Sequence, residues 1–291
     1  MNRTAITITL VSILILSFRS DKPAYNLYDR EGKNVKYEKM IEKISSADVV
    51  FFGELHDNPI AHWLEYEITA DLYKLAGERL ILGAEMFEAD NQLLMNEYLG
   101  YEYEADKFEA EVKLWKNYKT DYRPLVEFAR KNSLSFIATN VPRRYASMVS
   151  RGGFEELDSL TTEAKKYLAP LPVSYDPELK CYKDMLSMHG MPGMGAKPNQ
   201  NLPKAQAIKD ATMAHFISQN LPSGKILIHY NGAYHSDNYL GIIHHLKLYR
   251  PGIKIATITT VLQDDIADLE NENKGLADFI VVIPVTMTRT Y

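Results

Sequence analysis

Asp48-Val49-Val50-Phe51-Phe52-Gly53-Glu54-Leu55-His56-Asp57-Asn58-Pro59 decides the fold. Four consecutive apolar residues, Val49 to Phe52, suit a strand buried on both faces, as in a parallel sheet covered by helices. Asn58 can cap a helix and Pro59 suits its first position. The strand Asp48–Phe52 therefore hands over to a helix that runs to about Leu75, with Gly77 as its stop. Between strand and helix stand a glycine, a carboxylate and an imidazole.

The same arrangement recurs along the chain. Glu85-Met86 follows the apolar run Leu80–Ala84, Asn140 follows Leu134–Thr139, and Asn231-Gly232-Ala233-Tyr234-His235 follows Lys225–Tyr230. In an open parallel sheet the strand ends that lead into helices share one edge, where ligand crevices form. The first and last clusters both read Gly-x-x-His. One polar site assembled from strand tips is the expectation, with Glu54, His56, Glu85 and His235 in one crevice.

Tyr25–Tyr37 reads as an irregular approach or a short hairpin around Glu31-Gly32, and Tyr37–Ser45 as a short helix. A helix-rich stretch spans Asp90 to Lys131. Pro142 opens a helix over Arg143–Val149 that Gly152-Gly153 closes, and Glu155–Leu168 reads as helical again. Ala169–Asn201, rich in Pro and Met, reads as a long irregular loop. Helices are expected over Lys204–Asn220 and Asn238–Tyr249, and strands over Lys254–Val261 and Asp278–Pro284. Strands alternating with helices indicate an α/β fold, a mostly parallel helix-covered sheet with a smaller helical lobe inserted. The expected organisation is one domain over 21–291, with helical insertions around 88–132 and 155–215.

Glu54 and His56, two apart at a strand end, can point to one side as a metal pair or an acid/base pair. Capping accounts for Asp57 and Asn58 but not for these two. His62 and Glu65 share a helix face, and His62 lies one turn in, close to the strand tips. A carboxylate at Glu85, closing an apolar strand, is costly unless paired or metal-bound. Arg143 and Arg144 follow Asn140 at a helix start, where arginine opposes the helix dipole. A compensating anion is implied there: a site carboxylate, a bound propionate or a phosphate. His229 reads as a satisfied core histidine, His244 and His245 as helix-face residues, and Asp210 as a solvated helix residue. Met188-His189 reads as surface loop in preference to an axial haem ligand.

A net charge of −5 with no Lys/Arg run argues against a nucleic-acid partner. Cys181 is the single cysteine, so no intrachain disulfide can form. Arg3 followed by the uncharged run Ala5–Phe18 has the length of a signal-peptide core. Residues 1–20 are expected to be a signal peptide or N-terminal anchor, which makes the protein exported, periplasmic or membrane-associated through that segment. No nucleophile elbow, P-loop, dinucleotide fingerprint or zincin motif is present.

Several of these motifs together resemble the ChaN family of haem-binding proteins, within the Tiki and erythromycin-esterase superfamily. They are Phe52-Gly53-Glu54-Leu55-His56-Asp57-Asn58-Pro59 with His62, Gly83-Ala84-Glu85-Met86-Phe87, and Asp121-Tyr122-Arg123-Pro124-Leu125. Thr139-Asn140-Val141-Pro142-Arg143-Arg144, Lys209-Asp210-Ala211-Thr212-Met213-Ala214 and Asn231-Gly232-Ala233-Tyr234-His235 complete the set, covering roughly 45–262. The resemblance implies haem binding by a homodimer, with a tyrosine on the iron, in haem or iron uptake together with outer-membrane components. Tyr122 and Tyr118 are the tyrosines nearest a family motif. His62, Asn140, Arg143, Arg144 and Asn231 join them as candidate cofactor-binding residues. The rival is a metal-dependent hydrolase, a protease or esterase, in which Glu54, His56, Glu85 and His235 hold a divalent ion or act as catalytic groups. Two departures stand out: no lipidation cysteine is present, and the last motif has the Gly-x-x-His spacing of Tiki proteins where ChaN proteins have Gly-x-His.

Overall fold

The computed structural model describes residues 22–188 and 199–291. The expected leader and His189 lie outside them. Among the described residues one sheet is formed by β1 (Asn26–Asp29), β2 (Val49–Glu54), β3 (Leu80–Glu88), β4 (Phe136–Asn140), β5 (Ile226–Gly232), β6 (Ile255–Gln263) and β7 (Phe279–Pro284). The order is β1-β7-β6-β2-β5-β3-β4, and every pairing is parallel except β1 with β7 at one edge.

The central position of β2 explains its unbroken apolar run. Alternate side chains of a strand point to opposite faces, and here both faces are covered. Val50 and Phe52 join Leu80, Leu82 and Ala84 in one cluster with α2 (Pro59–Ala76), which follows the short α1 (Tyr37–Ile44). The same cluster takes in α3 (Gln92–Leu99), α4 (Ala105–Glu111) and α5 (Arg123–Lys131) through Met95, Tyr98, Phe108 and Leu125. Val49, Phe51 and Leu227 face the other way, against α9 (Leu202–Gln219) and α10 (Ile242–Tyr249). Before those two come α6 (Arg143–Gly152), the single turn α7 (Thr162–Lys165) and α8 (Lys180–Met188). Val141, Tyr145, Val149, Leu157, Leu168 and Ile208 form a small separate cluster under that layer.

The element boundaries correct several expectations. β2, β3 and β5 run past their apolar cores, so Glu54, Glu85 and Gly232 lie in the strands and not in loops. Parallel pairing of β2 with β5 continues to their ends, Gly53 with Asn231 and Glu54 with Gly232, while the register of β3 on β4 shifts between Ala84 and Glu88. The helix expected over Glu155–Leu168 is instead a 3-10 segment, Phe154–Ser159, and the turn α7. Extended backbone at Leu160 breaks it, and the Thr161 side chain, accepting from Ala164 N, restarts it. The 169–201 loop contains α8. The helix expected from Asn238 begins only at Ile242, because Asn238, Tyr239 and Gly241 all have positive φ.

Topology places the site. After β2 the chain enters the first helical layer through α2, while after the adjacent β5 it enters the second through α10. Neighbouring strands whose connections diverge leave a crevice beyond their carboxyl ends. Among the described residues no helix is long and apolar enough to cross a membrane.

Candidate functional site

Two buried networks meet at this crevice. The first is centred on Glu54, which is 1% exposed at the end of β2. Its Oε1 lies 2.5 Å from His56 Nδ1 and accepts from Tyr122 OH at 2.7 Å. Behind it His62 Nδ1 sits 3.1 Å from Glu65 Oε2 and 3.4 Å from Glu54 Oε2, and His62 Nε2 donates to His56 O at 3.1 Å. Asn117 donates to the same carbonyl at 3.0 Å and to Asp121 Oδ2 at 2.7 Å. His56 is thus gripped at both its ring and its backbone.

The second network is centred on His235. Its Nδ1 bonds Asp210 Oδ1, and its Nε2 lies 3.2 Å from Glu85 Oε1. Glu85 Oε2 accepts from Gly232 N at 2.9 Å, and Asn140 Nδ2 donates to Glu85 O at 2.9 Å. Tyr182 OH on α8 donates to the other Asp210 oxygen at 3.0 Å. Gly232 lets the two networks approach: a Cβ there would lie 2.8 Å from His56 Nε2.

Charge follows from these partners. Burial opposes ionisation of Glu54, but the His56 hydrogen bond and nearby His62 outweigh it and hold the carboxyl below its usual range. Glu65, buried beside Glu54 and Asp121, is pushed well above that range. Burial works against an imidazolium at His56, yet Glu54 and Glu85 raise its pKa. His235, against the same burial, is raised to about 10 by Glu85 and Asp210, and Glu85 is lowered in return by His235. The crevice floor therefore carries carboxylate-held imidazoles, the arrangement expected of acid/base or ligand-orienting groups.

Above this floor opens a cleft of about 560 Å³. His56, Glu85 and His235 line its base, and Leu114, Trp115, Val141 and Tyr291 supply apolar wall. The Trp115 ring stacks edge-on to His56, 4.8 Å between centroids. Lys113, Lys116, Arg143 and Lys209 are the cations of the lining. The volume is within the range of small-molecule sites.

Of the residues expected to bind a cofactor, Asn140 and Arg143 line this cleft, as do His56, Glu85 and His235. The others are corrected by their surroundings. Tyr122 is 1% exposed and committed to Glu54, and Tyr118 packs beside Phe87 and Phe108, so neither hydroxyl belongs to the cleft wall. His62 lies beneath the floor. Asn231 is fully buried and spends its amide on His229, Gly232 O and Ser236. Arg144 turns outward to Asp90 and Tyr145. Asp210, expected as a solvated residue, is buried at the heart of the second network. Lys116, Trp115 and Tyr291 carried no sequence signal, since they come from an irregular segment and from the chain's last residue. The set Glu54, His56, Glu85 and His235 is divided between the two networks. Among the described residues the ligand atoms that gather within 4.8 Å of one another belong to Glu54, His62 and Glu65.

A parallel α/β domain with carboxylate-held imidazoles at its switch point defines a class of protein. Within it, the chain belongs to the family described as haem-binding uptake, Tiki superfamily, ChaN, whose model matches residues 40–246. It is similar in structure to ChaN of Campylobacter jejuni, described with cofacial haem binding, at a TM-score of 0.68 and 18% identity, covering 89% of this chain and 96% of that one. It is also similar to the type III effector HopBA1, at a TM-score of 0.51 and 11% identity, covering 90% of this chain and 99% of that one. Among curated proteins, RETICULATA-RELATED 5, chloroplastic, of Arabidopsis thaliana is 26% identical over 203 residues, 66% of this chain. The chain spans 27% of that relative's length. The likeness to the solved structures is one of fold.

Proposed function

We propose that the protein binds haem in the switch-point cleft and serves haem or iron uptake outside the cytoplasm, as an exported protein. The observation that carries this is the cleft's composition. An apolar wall of Leu114, Trp115, Val141 and Tyr291 faces a polar floor, with Lys116, Arg143 and Lys209 at hand for carboxylates. A flat apolar ring bearing acidic side arms suits those surfaces, and the family described above supports the choice of ring. Haem, when bound, supplies the iron that is carried. The chain's own part is to shelter the ring and to hold His56 through Glu54. Homodimer formation and docking to outer-membrane uptake components belong to the same proposal. Titration with haem, followed by absorbance, is expected to give a saturable Soret band. A spectrum no stronger than that of an unrelated control protein would sink the reading.

A second reading is favoured by a specific feature: two carboxylate-held imidazoles, Glu54–His56 and Asp210–His235, flank Glu85. Such pairs suit hydrolysis of an ester or peptide, with or without a divalent ion. Loss of one acid/base group typically lowers a rate by about 10²–10⁴-fold. His56→Ala and Glu85→Ala, assayed on ester and peptide panels with several metals added, decide it. No turnover by the unmodified protein on any panel rejects the hydrolase.

A further inference from the structure

Resting on the haem reading, we infer that the cleft recognises its ligand by carboxylates and not by iron, so that its ligand class is dicarboxylate tetrapyrroles with or without a metal. The first ground is how few iron ligands the cleft offers. His235 has one ring nitrogen on Asp210 and the other 3.2 Å from Glu85. His56 has Nδ1 on Glu54, which leaves only Nε2, the atom that a Cβ on Gly232 would meet at 2.8 Å. Tyr122 donates to Glu54, and Tyr118 is packed among Phe87 and Phe108. Among the described residues that line the cleft, the one phenol is that of Tyr291, half exposed.

The second ground is the charge of the lining. Of its four cations, Lys113 pairs with Glu88 at 2.9 Å. Lys116, Arg143 and Lys209 have no carboxylate partner among the described residues. Arg143 opens α6 and Lys209 lies on α9, two helices that pack against each other, so these two cations come from one layer. Lys116 comes from the other layer, its Nζ over the Tyr291 ring at 3.6 Å. In a chain of net charge −5, three cations left without acidic partners around one apolar-walled cleft are a receptor for anionic groups. The two propionates of a protoporphyrin leave one edge of the ring together, which matches cations grouped on one wall. Guanidinium and ammonium bind carboxylate through charge-assisted hydrogen bonds that an ester cannot reciprocate.

Trp115 reports binding directly, because it lines the cleft and the one other tryptophan, Trp63, can be replaced by Phe. Quenching of Trp115 is measured with haem, metal-free protoporphyrin IX and the dimethyl ester of each. Haem and metal-free protoporphyrin IX are expected to bind within about threefold of each other, and the esters at least about tenfold more weakly. The pair Arg143→Gln with Lys209→Gln should bring the free acids down to the level of the esters and leave the esters unchanged. If haem binds while the metal-free ring does not, iron is the handle and the inference is overturned with the haem reading intact; Tyr291→Phe then identifies the ligand. Esters binding as tightly as acids overturns it equally. If no tetrapyrrole quenches Trp115, the haem reading itself falls, and inorganic phosphate as competitor shows whether the cations hold a simple anion only.

Discussion

His235 carries the clearest electrostatic consequence of a single residue. It is buried between Glu85 and Asp210, and those two carboxylates raise its pKa from 6.5 to about 10. A folded-state pKa above the unfolded one means that the protonated imidazole stabilises the native state. That contribution is complete below about pH 6.5 and is lost as pH rises through about 10. Glu85 works in the opposite sense: lowered by His235, it stabilises above its unfolded value of 4.5 and loses that role in acid. Urea midpoints should therefore fall between pH 6 and pH 10 in the unmodified protein, and fall less steeply in His235→Gln. Equal slopes in the two proteins would show that the ring is not held by its carboxylates. Glu54, His56, Glu85 and His235 stood out in sequence because each follows a run of apolar residues. Asp210 was not, since nothing along one helix reveals that residue 235 of another element will face it. The same limit hid the commitment of Tyr122 to Glu54, a contact across 68 positions.

The strands themselves show where pattern succeeds and where it stops. Apolar runs located β2 to β7, and Asn58 with Pro59 located the start of α2, where the Asn58 side chain accepts from Ile60 N and Ala61 N. Periodicity could not show that β2, β3 and β5 continue through Gly53-Glu54, Glu85 and Asn231-Gly232, because polar residues there are paid for by partners on other strands. Two glycines at these ends separate structure from function. A Cβ on Gly53 would lie 2.9 Å from the Ala233 Cα, a backbone atom that cannot move aside alone. Gly53→Ala should therefore cost about 1–3 kcal/mol of stability by overpacking. A Cβ on Gly232 would meet the His56 ring at 2.8 Å, a side chain that can swing. Gly232→Ala should unfold at a midpoint closer to the unmodified protein while weakening porphyrin binding through a displaced His56. Denaturant curves and Trp115 quenching on both variants test the contrast; a larger stability loss in Gly232→Ala would contradict it.

At the scale of the whole molecule, the cleft sits where two layers part. The α/β class with its parallel sheet was readable from alternating strands and helices, but the strand order was not, because β5 returns to the middle of the sheet from a distant part of the chain. That return makes β2 and β5 neighbours with connections on opposite faces, and it is why the lining comes from both. Trp115 and Lys116 belong to the layer of α2 to α5, Arg143 and Lys209 to the layer of α6 and α9, and His56 and Glu85 to the strand ends between. A ligand in the cleft touches all three and adds free energy to the native state alone. At a hundred times its Kd that linkage amounts to about 2.7 kcal/mol. Local opening of any wall would break contacts with the ligand, so protection should rise together in segments far apart in sequence. Hydrogen exchange with and without saturating protoporphyrin should slow amides around 112–117, 140–146 and 204–210 at once, while the edge strand β1 exchanges unchanged. Protection confined to one of these segments would mean that the ligand rests on a single layer and that the switch-point cleft is not where it binds.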